Sequence, residues 1–369
     1  MRFLVTWDKF PCNKDFLSIM GKSVTTYAAK WKHTPTQVIR VPSVMADRLI
    51  AIAHEWDRAL SDEPQIFECR EPVAEYQLPL PTIPVIDPKR AVNVSSIPQL
   101  SPFRYPGGKT WLVPTIRAWL RATQPKRLFE PFAGGAIVSL TSVAENLVDE
   151  AVFCELDPAV AAVWKTTLSE DCEWLVDQIL AFEVNETQVK ATLALTANST
   201  RELAFQTIVR NRVQRGGIMA PGAGLVKAGE NGKGLSSRWY PETLARRLRL
   251  IYALRDRLQF VQSDCFKEFR KYANAASTAA YIDPPYVKAA RRLYSCWEVD
   301  HAAIFSLCAK HRADPLLSYD NTSEVEQWSA KNGFAMRPIS MKNTHHATMD
   351  ELLIGRDLNW FDKGSSAVV

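Results

Sequence analysis

The stretch RLFEPFAGGAIVSLTSVAENLVDEAVFCELD, residues 127–157, decides the fold. RLFE is a short run of strand type, and a turn follows with glycines at 134 and 135. GGAIVSLTSVAENL carries apolar residues at helical spacing, and EAVFCELD is a second apolar strand run. A strand, a glycine turn, a helix and a strand in so short a span make one crossover unit of a parallel sheet. Outward from it, AVAAVWKTTL (159–168) predicts another helix. LQFVQSD (258–264), AAYIDPP (279–285), DPLLSYD (314–320) and ELLIG (351–355) predict further strands, most followed by helical patterns. That order predicts an α/β fold with a doubly wound sheet covered on both faces. Ligands of such sheets bind beyond the carboxyl ends of the strands, where the glycines and acids of this chain fall.

The bulk composition agrees. The 369 residues are 47% hydrophobic, enough for one large domain and a smaller one, and the net charge is +5. That mild positive balance is compatible with a phosphate-binding face without requiring one. Seven cysteines occur without a CxxC pair, which argues against a disulfide framework or a zinc site and for a reducing, cytoplasmic setting. No metal is expected. The first residues lack the pattern of a signal peptide, and no apolar run is long enough to span a membrane, so no membrane partner is expected.

Five segments are expected. Residues 1–61 form a small module of unassigned role, where TQVIRVP (36–42) predicts a strand and Ser43 caps a helix over SVMADRLIAIAHEWDRAL (43–60). Packing is the more ordinary role for it. Residues 62–99 contain six prolines before position 90 and read as an extended linker. Residues 100–182 and 259–362 carry the strand–helix alternation and the recognisable chemistry as a catalytic domain, residues 363–369 form a flexible tail, and the family resemblance set out below implies that residues 183–258 are an inserted, mainly helical recognition region.

Four motifs carry the chemistry. PFAGGAIVSL (131–140) lets the backbone turn sharply and come close to a ligand, although a bare turn would use the same residues. In ELD (155–157), an acid at a strand end can accept from ribose hydroxyls. The absence of GxGxxG argues against a nicotinamide or flavin dinucleotide. In YIDPPY (281–286), Asp283 and the Pro284 carbonyl can both accept from an exocyclic amino group. Pro284 and Pro285 stiffen the backbone, and Tyr286 can stack on a base taken out of the duplex. Such a site holds the amino group of adenine or of cytosine equally. SPFRYPGGK (101–109) adds a glycine turn at 107–108 and a lysine able to reach an anion.

In this order these motifs resemble the Dam-type, α-group family of adenine-N6 DNA methyltransferases. PFRYPGGK, FEPFAGGA, ELD, the NR of VRNRVQRGG, SRWYPETLARRL, VQSDCF, YIDPPY, LLSYDN and DELLIG carry the likeness, over about residues 100–357. It implies a Rossmann-like methyltransferase sheet, S-adenosylmethionine as cofactor and double-stranded DNA as partner. Tyr105, Gly108 and Lys109 would line the cofactor site. Phe132, Ala133, Gly134 and Gly135 would hold the methionine part. Glu155 and Asp157 would sit at the ribose, with Asp157 as its ligand. Asp264 and Cys265 would contact the cofactor's adenine, and Asp283, Pro284, Pro285 and Tyr286 the target adenine. Arg210, Arg212 and Arg215, with Lys288, Arg292 and Tyr294, are the expected DNA contacts, basic residues near glycines being suited to phosphates. Several of Arg246 to Arg257 are expected on a solvated helix face instead. Ala136 departs from the family, which often has a third glycine there, and the recognition region does not match GATC-methylating members.

The implied activity is site-specific methylation of adenine N6. Cytosine N4 methylation, RNA adenine methylation and a catalytically silent DNA-binding regulator are the alternatives. A nuclease or defence-system subunit is an expected partner for residues 1–99, and a monomer or weak dimer the expected state.

Overall fold

A seven-stranded sheet in the order β3-β2-β1-β4-β5-β7-β6 organises the protein. The computed structural model describes residues 97–363, apart from 106, 221, 228, 230, 231, 273, 286–292, 297 and 343–347. The expected N-terminal module, nearly all of the linker and the tail therefore lie outside the described residues.

A short 3-10 turn, Lys109–Leu112, leads into α1 (Val113–Thr123). Then come β1 (Arg127–Glu130), α2 (Ile137–Ala144), β2 (Glu150–Glu155) and α3 (Pro158–Thr167). Helices α4 (Cys172–Ala181), α5 (Glu186–Ala194), α6 (Thr200–Val213) and α7 (Pro241–Ala253) precede β3 (Leu258–Gln262). Next are α8 (Cys265–Tyr272), β4 (Thr278–Ile282), α9 (His301–Lys310), β5 (Asp314–Asp320) and α10 (Ser323–Lys331). The chain closes with β6 (Ala335–Lys342), β7 (Thr348–Gly355) and α11 (Asn359–Lys363).

Strands β1 to β5 pair in parallel. Strand β7 runs antiparallel between β5 and β6. Burial on both sides explains the unbroken apolar runs of the central strands, AVFC and TAAYI. Successive residues serve opposite faces: Leu128, Phe153 and Tyr281 pack with α1 to α4 and α6, whereas Phe129, Val152 and Ile282 pack with α8, α9 and α10.

Helices α6 and α7 fall within the span expected as a recognition region, yet Ile208, Leu248 and Ile251 belong to the first of these clusters. The glycine-rich stretch between the two helices is the irregular part of that span. The order reverses between β1, which continues to β2, and β4, which lies on its other side. Their carboxyl ends therefore face one crevice.

Candidate active site

A cavity of about 830 Å³ opens at that crevice, within the usual size of a small-molecule site. Asp283 and Pro285 at the end of β4, Glu130 to Gly135 after β1, Glu155 at the end of β2 and Asp264 with Cys265 after β3 all line it. Tyr105, Gly108, Lys109, Arg212 and Tyr294 complete its walls. Residues spread over nearly 200 positions thus converge because four parallel strands end together.

Asp283 is held from behind. Lys109 Nζ lies 3.0 Å from its Oδ1, and Ser318 Oγ donates to the same oxygen at 3.1 Å. A hydroxyl has one proton, so in the 2.8 Å contact between Tyr281 and Ser318 the phenol donates. Both contacts fall on Oδ1, and the residue lines the cavity. Burial pushes the Asp283 carboxyl above its ordinary value, and Lys109 opposes that shift, then its hydrogen bond and that of Ser318. Lys109 also reaches Glu351 on β7 at 3.2 Å. The anions it meets are therefore carboxylates of the protein.

The glycine turn is tied down at three points. Gly134 N donates to Glu155 Oε2 at 3.1 Å, Trp164 Nε1 donates to Gly134 O at 3.0 Å, and Ala133 N donates to Cys154 O at 2.9 Å. Gly134 has φ +46°, and a Cβ there would come within 2.6 Å of the Tyr105 ring, so only glycine fits. Ala136 also has positive φ, 49°, at the start of α2. It takes the backbone conformation that the third glycine of the motif would take without strain. The Tyr105 ring stacks on Tyr294, centroids 5.8 Å apart.

The two acids of ELD separate. Glu155 lines the cavity and accepts from the amides of Gly134, Leu156 and Asp157. Burial nevertheless raises its carboxyl to about 7. Asp157, expected at the ribose, does not line the cavity. It is the N-cap of α3, accepting from Ala159 N at 2.8 Å with Pro158 in the first turn. The Asp-Pro pair was the signal for that cap.

Pro284 is buried and absent from the cavity wall, while its neighbours Asp283 and Pro285 line it. Arg210 and Arg215 lie off the cavity, Arg215 on the exposed turn after α6. Tyr286, Lys288 and Arg292 lie outside the described residues.

The sequence reading missed several wall residues. Glu130 is 3% exposed, takes both the amide and the hydroxyl of Ser139, and is raised by burial to about 8. Leu156 is 51% exposed beside Glu155, an apolar rim at the mouth. Arg104, Arg238 and Arg247 also line the cavity. Arg247 was recoverable: with Leu244, Leu248 and Ile251 buried on α7, it flanks the inner face while Arg246 and Arg249 point out. Glu351 and Ser318 fall inside DELLIG and LLSYDN, but their place beside Lys109 and Asp283 was not legible, because it arises only through strand pairing.

A doubly wound sheet with a tied glycine turn after β1, an acid ending β2 and a held aspartate after β4 defines a Rossmann-like α/β fold with a ligand crevice at its switch point. Residues 105–213 match the family model described as D12 class N6 adenine-specific DNA methyltransferase. The matched stretch is less than a third of the chain. It takes in the glycine turn, ELD and the NR pair, and ends before DPPY. No curated protein matches the chain. Among solved structures, one titled "putative RNA methyltransferase" from Pyrococcus horikoshii is 10% identical. The match covers 69% of this chain and 85% of that one, with a TM-score of 0.31. Among the described residues no helix is long and apolar enough to cross a membrane, and no group of three or more His, Cys, Asp or Glu is placed to hold a metal.

Proposed function

We propose that the protein transfers a methyl group from S-adenosylmethionine to N6 of an adenine flipped out of double-stranded DNA. The observation that carries this reading is the Asp283 carboxylate: one oxygen is fixed by Lys109 and Ser318, and the residue lines a cavity shared with the glycine turn and Glu155.

The residues present fit the cofactor. Gly134 and Gly135 line the cavity with bare backbone, packed too closely on Tyr105 and Ser101 for a side chain, Glu155 offers a carboxylate to ribose hydroxyls, and Leu156 beside it offers an apolar surface to a purine. Bound there, the cofactor supplies an electrophilic methyl group. This chain's own residues do the rest. Asp283 accepts a hydrogen of the adenine amino group, which orients the nitrogen and offsets the positive charge growing on it during transfer. Lys109 keeps that carboxylate ionised against burial. Pro285 stiffens the adjacent backbone, and the walls keep water from competing with the base.

The test is methylation of plasmid DNA with the purified full-length chain. Nucleoside mass spectrometry should show N6-methyladenine, and long-read mapping its sequence context. Asp283→Ala should lower the rate by about a thousandfold or more while cofactor affinity changes little. N4-methylcytosine as product, or brisk turnover by Asp283→Ala, would overturn the assignment.

A further inference from the structure

One ring of the core carries an oxygen that packing does not require. Tyr281, on β4, is 1% exposed, and its ring belongs to the first core cluster with Leu316 and Leu353. A hydroxyl buried there costs free energy unless it is hydrogen-bonded. Its partner is Ser318 Oγ on β5, 2.8 Å away, and Ser318 is itself buried. Ser318 in turn donates to Asp283 Oδ1 at 3.1 Å. Parallel pairing of Tyr281 with Leu316 and of Ile282 with Leu317 brings Ser318 level with Asp283, one residue beyond each pair. Leu316, two residues before Ser318, shares the core cluster of Tyr281, so both hydroxyls lie on one face of the sheet.

The chain of hydroxyls runs one way. An ionised carboxylate only accepts, so the single Ser318 proton is committed to Asp283 and the phenol donates to Ser318. Among the described residues the Tyr281 hydroxyl has no other hydrogen-bond partner. A serine that accepts from a phenol becomes a stronger donor, and bonds in a dry interior reinforce one another. The phenol therefore aims the Ser318 proton at Asp283 and resists rotation of the carboxylate. Burial raises the Asp283 carboxyl, and Lys109 and then Ser318 work against it. The other ionisable groups around the pair are Glu130 at the end of β1, Tyr319 on β5 and Glu351 on β7. Neither Tyr281 nor Ser318 lines the cavity, so neither meets a ligand there.

We infer that Tyr281 is a positioning residue for methyl transfer, acting through Ser318 to hold the Asp283 carboxylate in its working orientation. This rests on the proposed function, in which Asp283 accepts from the adenine amino group. It gives YIDPPY and LLSYDN, far apart in the sequence, one joint task. The first supplies the carboxylate and the phenol, and the second supplies the hydroxyl between them.

The experiment is a mutant cycle in the full-length chain: Tyr281→Phe, Ser318→Ala and the double variant. Tyr281→Phe removes one oxygen and leaves the ring, so the core stays packed. Single-turnover methylation of plasmid DNA gives the rate, and calorimetry gives the S-adenosylmethionine affinity. Isotope-edited NMR of carboxyl-labelled aspartate, with the Asp283 signal assigned by Asp283→Asn, follows the titration of that carboxyl. At neutral pH Ser318→Ala should lower the rate about tenfold and Tyr281→Phe about threefold. Cofactor affinity should stay within about twofold, which also reports correct folding. The double variant should be no slower than Ser318→Ala, because the phenol acts only through Ser318. The Asp283 titration should move upward in both single variants, as weakening a donor to the charged form requires. Rate losses that multiply in the double variant would overturn the inference. So would an unmoved titration in Tyr281→Phe, since the phenol would then serve packing alone. If the unmodified chain methylates no DNA, the proposed function fails, and the titration still decides whether Tyr281 acts on Asp283. If it methylates and the losses multiply, only the role of Tyr281 fails.

Discussion

Asp283 shows how much of this site is carried by one side chain's surroundings. Buried, it would hold a proton more tightly than an ordinary carboxyl, and Lys109 at 3.0 Å works against that. Replacing Lys109 by methionine removes the cation, so the Asp283 pKa rises further and less carboxylate is present at neutral pH. The acidic limb of the kcat–pH profile should move upward, with activity partly recovered at alkaline pH. A profile that only drops in height would show that Lys109 acts by another route. At Ala136, φ of 49° strains any residue with a Cβ. Ala136→Gly should raise stability by roughly 0.5–1 kcal/mol, the strain relief outweighing the looser unfolded chain. A lower melting temperature would contradict this. The sequence showed glycine replaced by alanine, and only the backbone angle gives the substitution a cost.

At the scale of elements, the ends of strands and the starts of helices divide the work. The strand β2 ends on Glu155, at the cavity, and α3 begins on Asp157, its cap. Asp157→Ala should cost about 1 kcal/mol of stability, read from chemical denaturation, and leave cofactor affinity nearly intact. Glu155→Gln should do the reverse, weakening cofactor binding by about tenfold or more. Equal effects of the two on binding would place both acids at the ligand. The parallel elements and their turns were legible because their apolar periodicity and glycines are local. The antiparallel β6–β7 pair was half legible: ELLIG reads as a strand, but AMRPISMK carries a central proline and a single β-branched residue. Nothing in either run specifies a reversed direction, and the inward turn of Arg247 depended on which face of α7 is buried.

The whole molecule stores several acids in a low-dielectric crevice, and that couples folding to pH. Glu130 rises from an ordinary 4.5 to about 8, and Glu155 to about 7, both chiefly through burial. A carboxyl with a raised pKa binds its proton more tightly in the folded state. Its contribution is therefore fully present below about pH 4.5 and is lost as pH climbs through 7 and 8. The melting temperature should fall between pH 5 and 8.5, by an amount on the order of a few kcal/mol in stability, and Glu130→Gln should flatten that slope. An equally steep slope in the variant would exclude Glu130 as its source.

The contact between Lys109 and Glu351 joins positions 242 residues apart in the chain. Lys109 is made early and Asp283 later, but the carboxylate on β7 is translated almost last. Until β7 slots between β5 and β6, the lysine lacks Glu351, so the full set of contacts behind Asp283 forms only once the last strand of the sheet is in place.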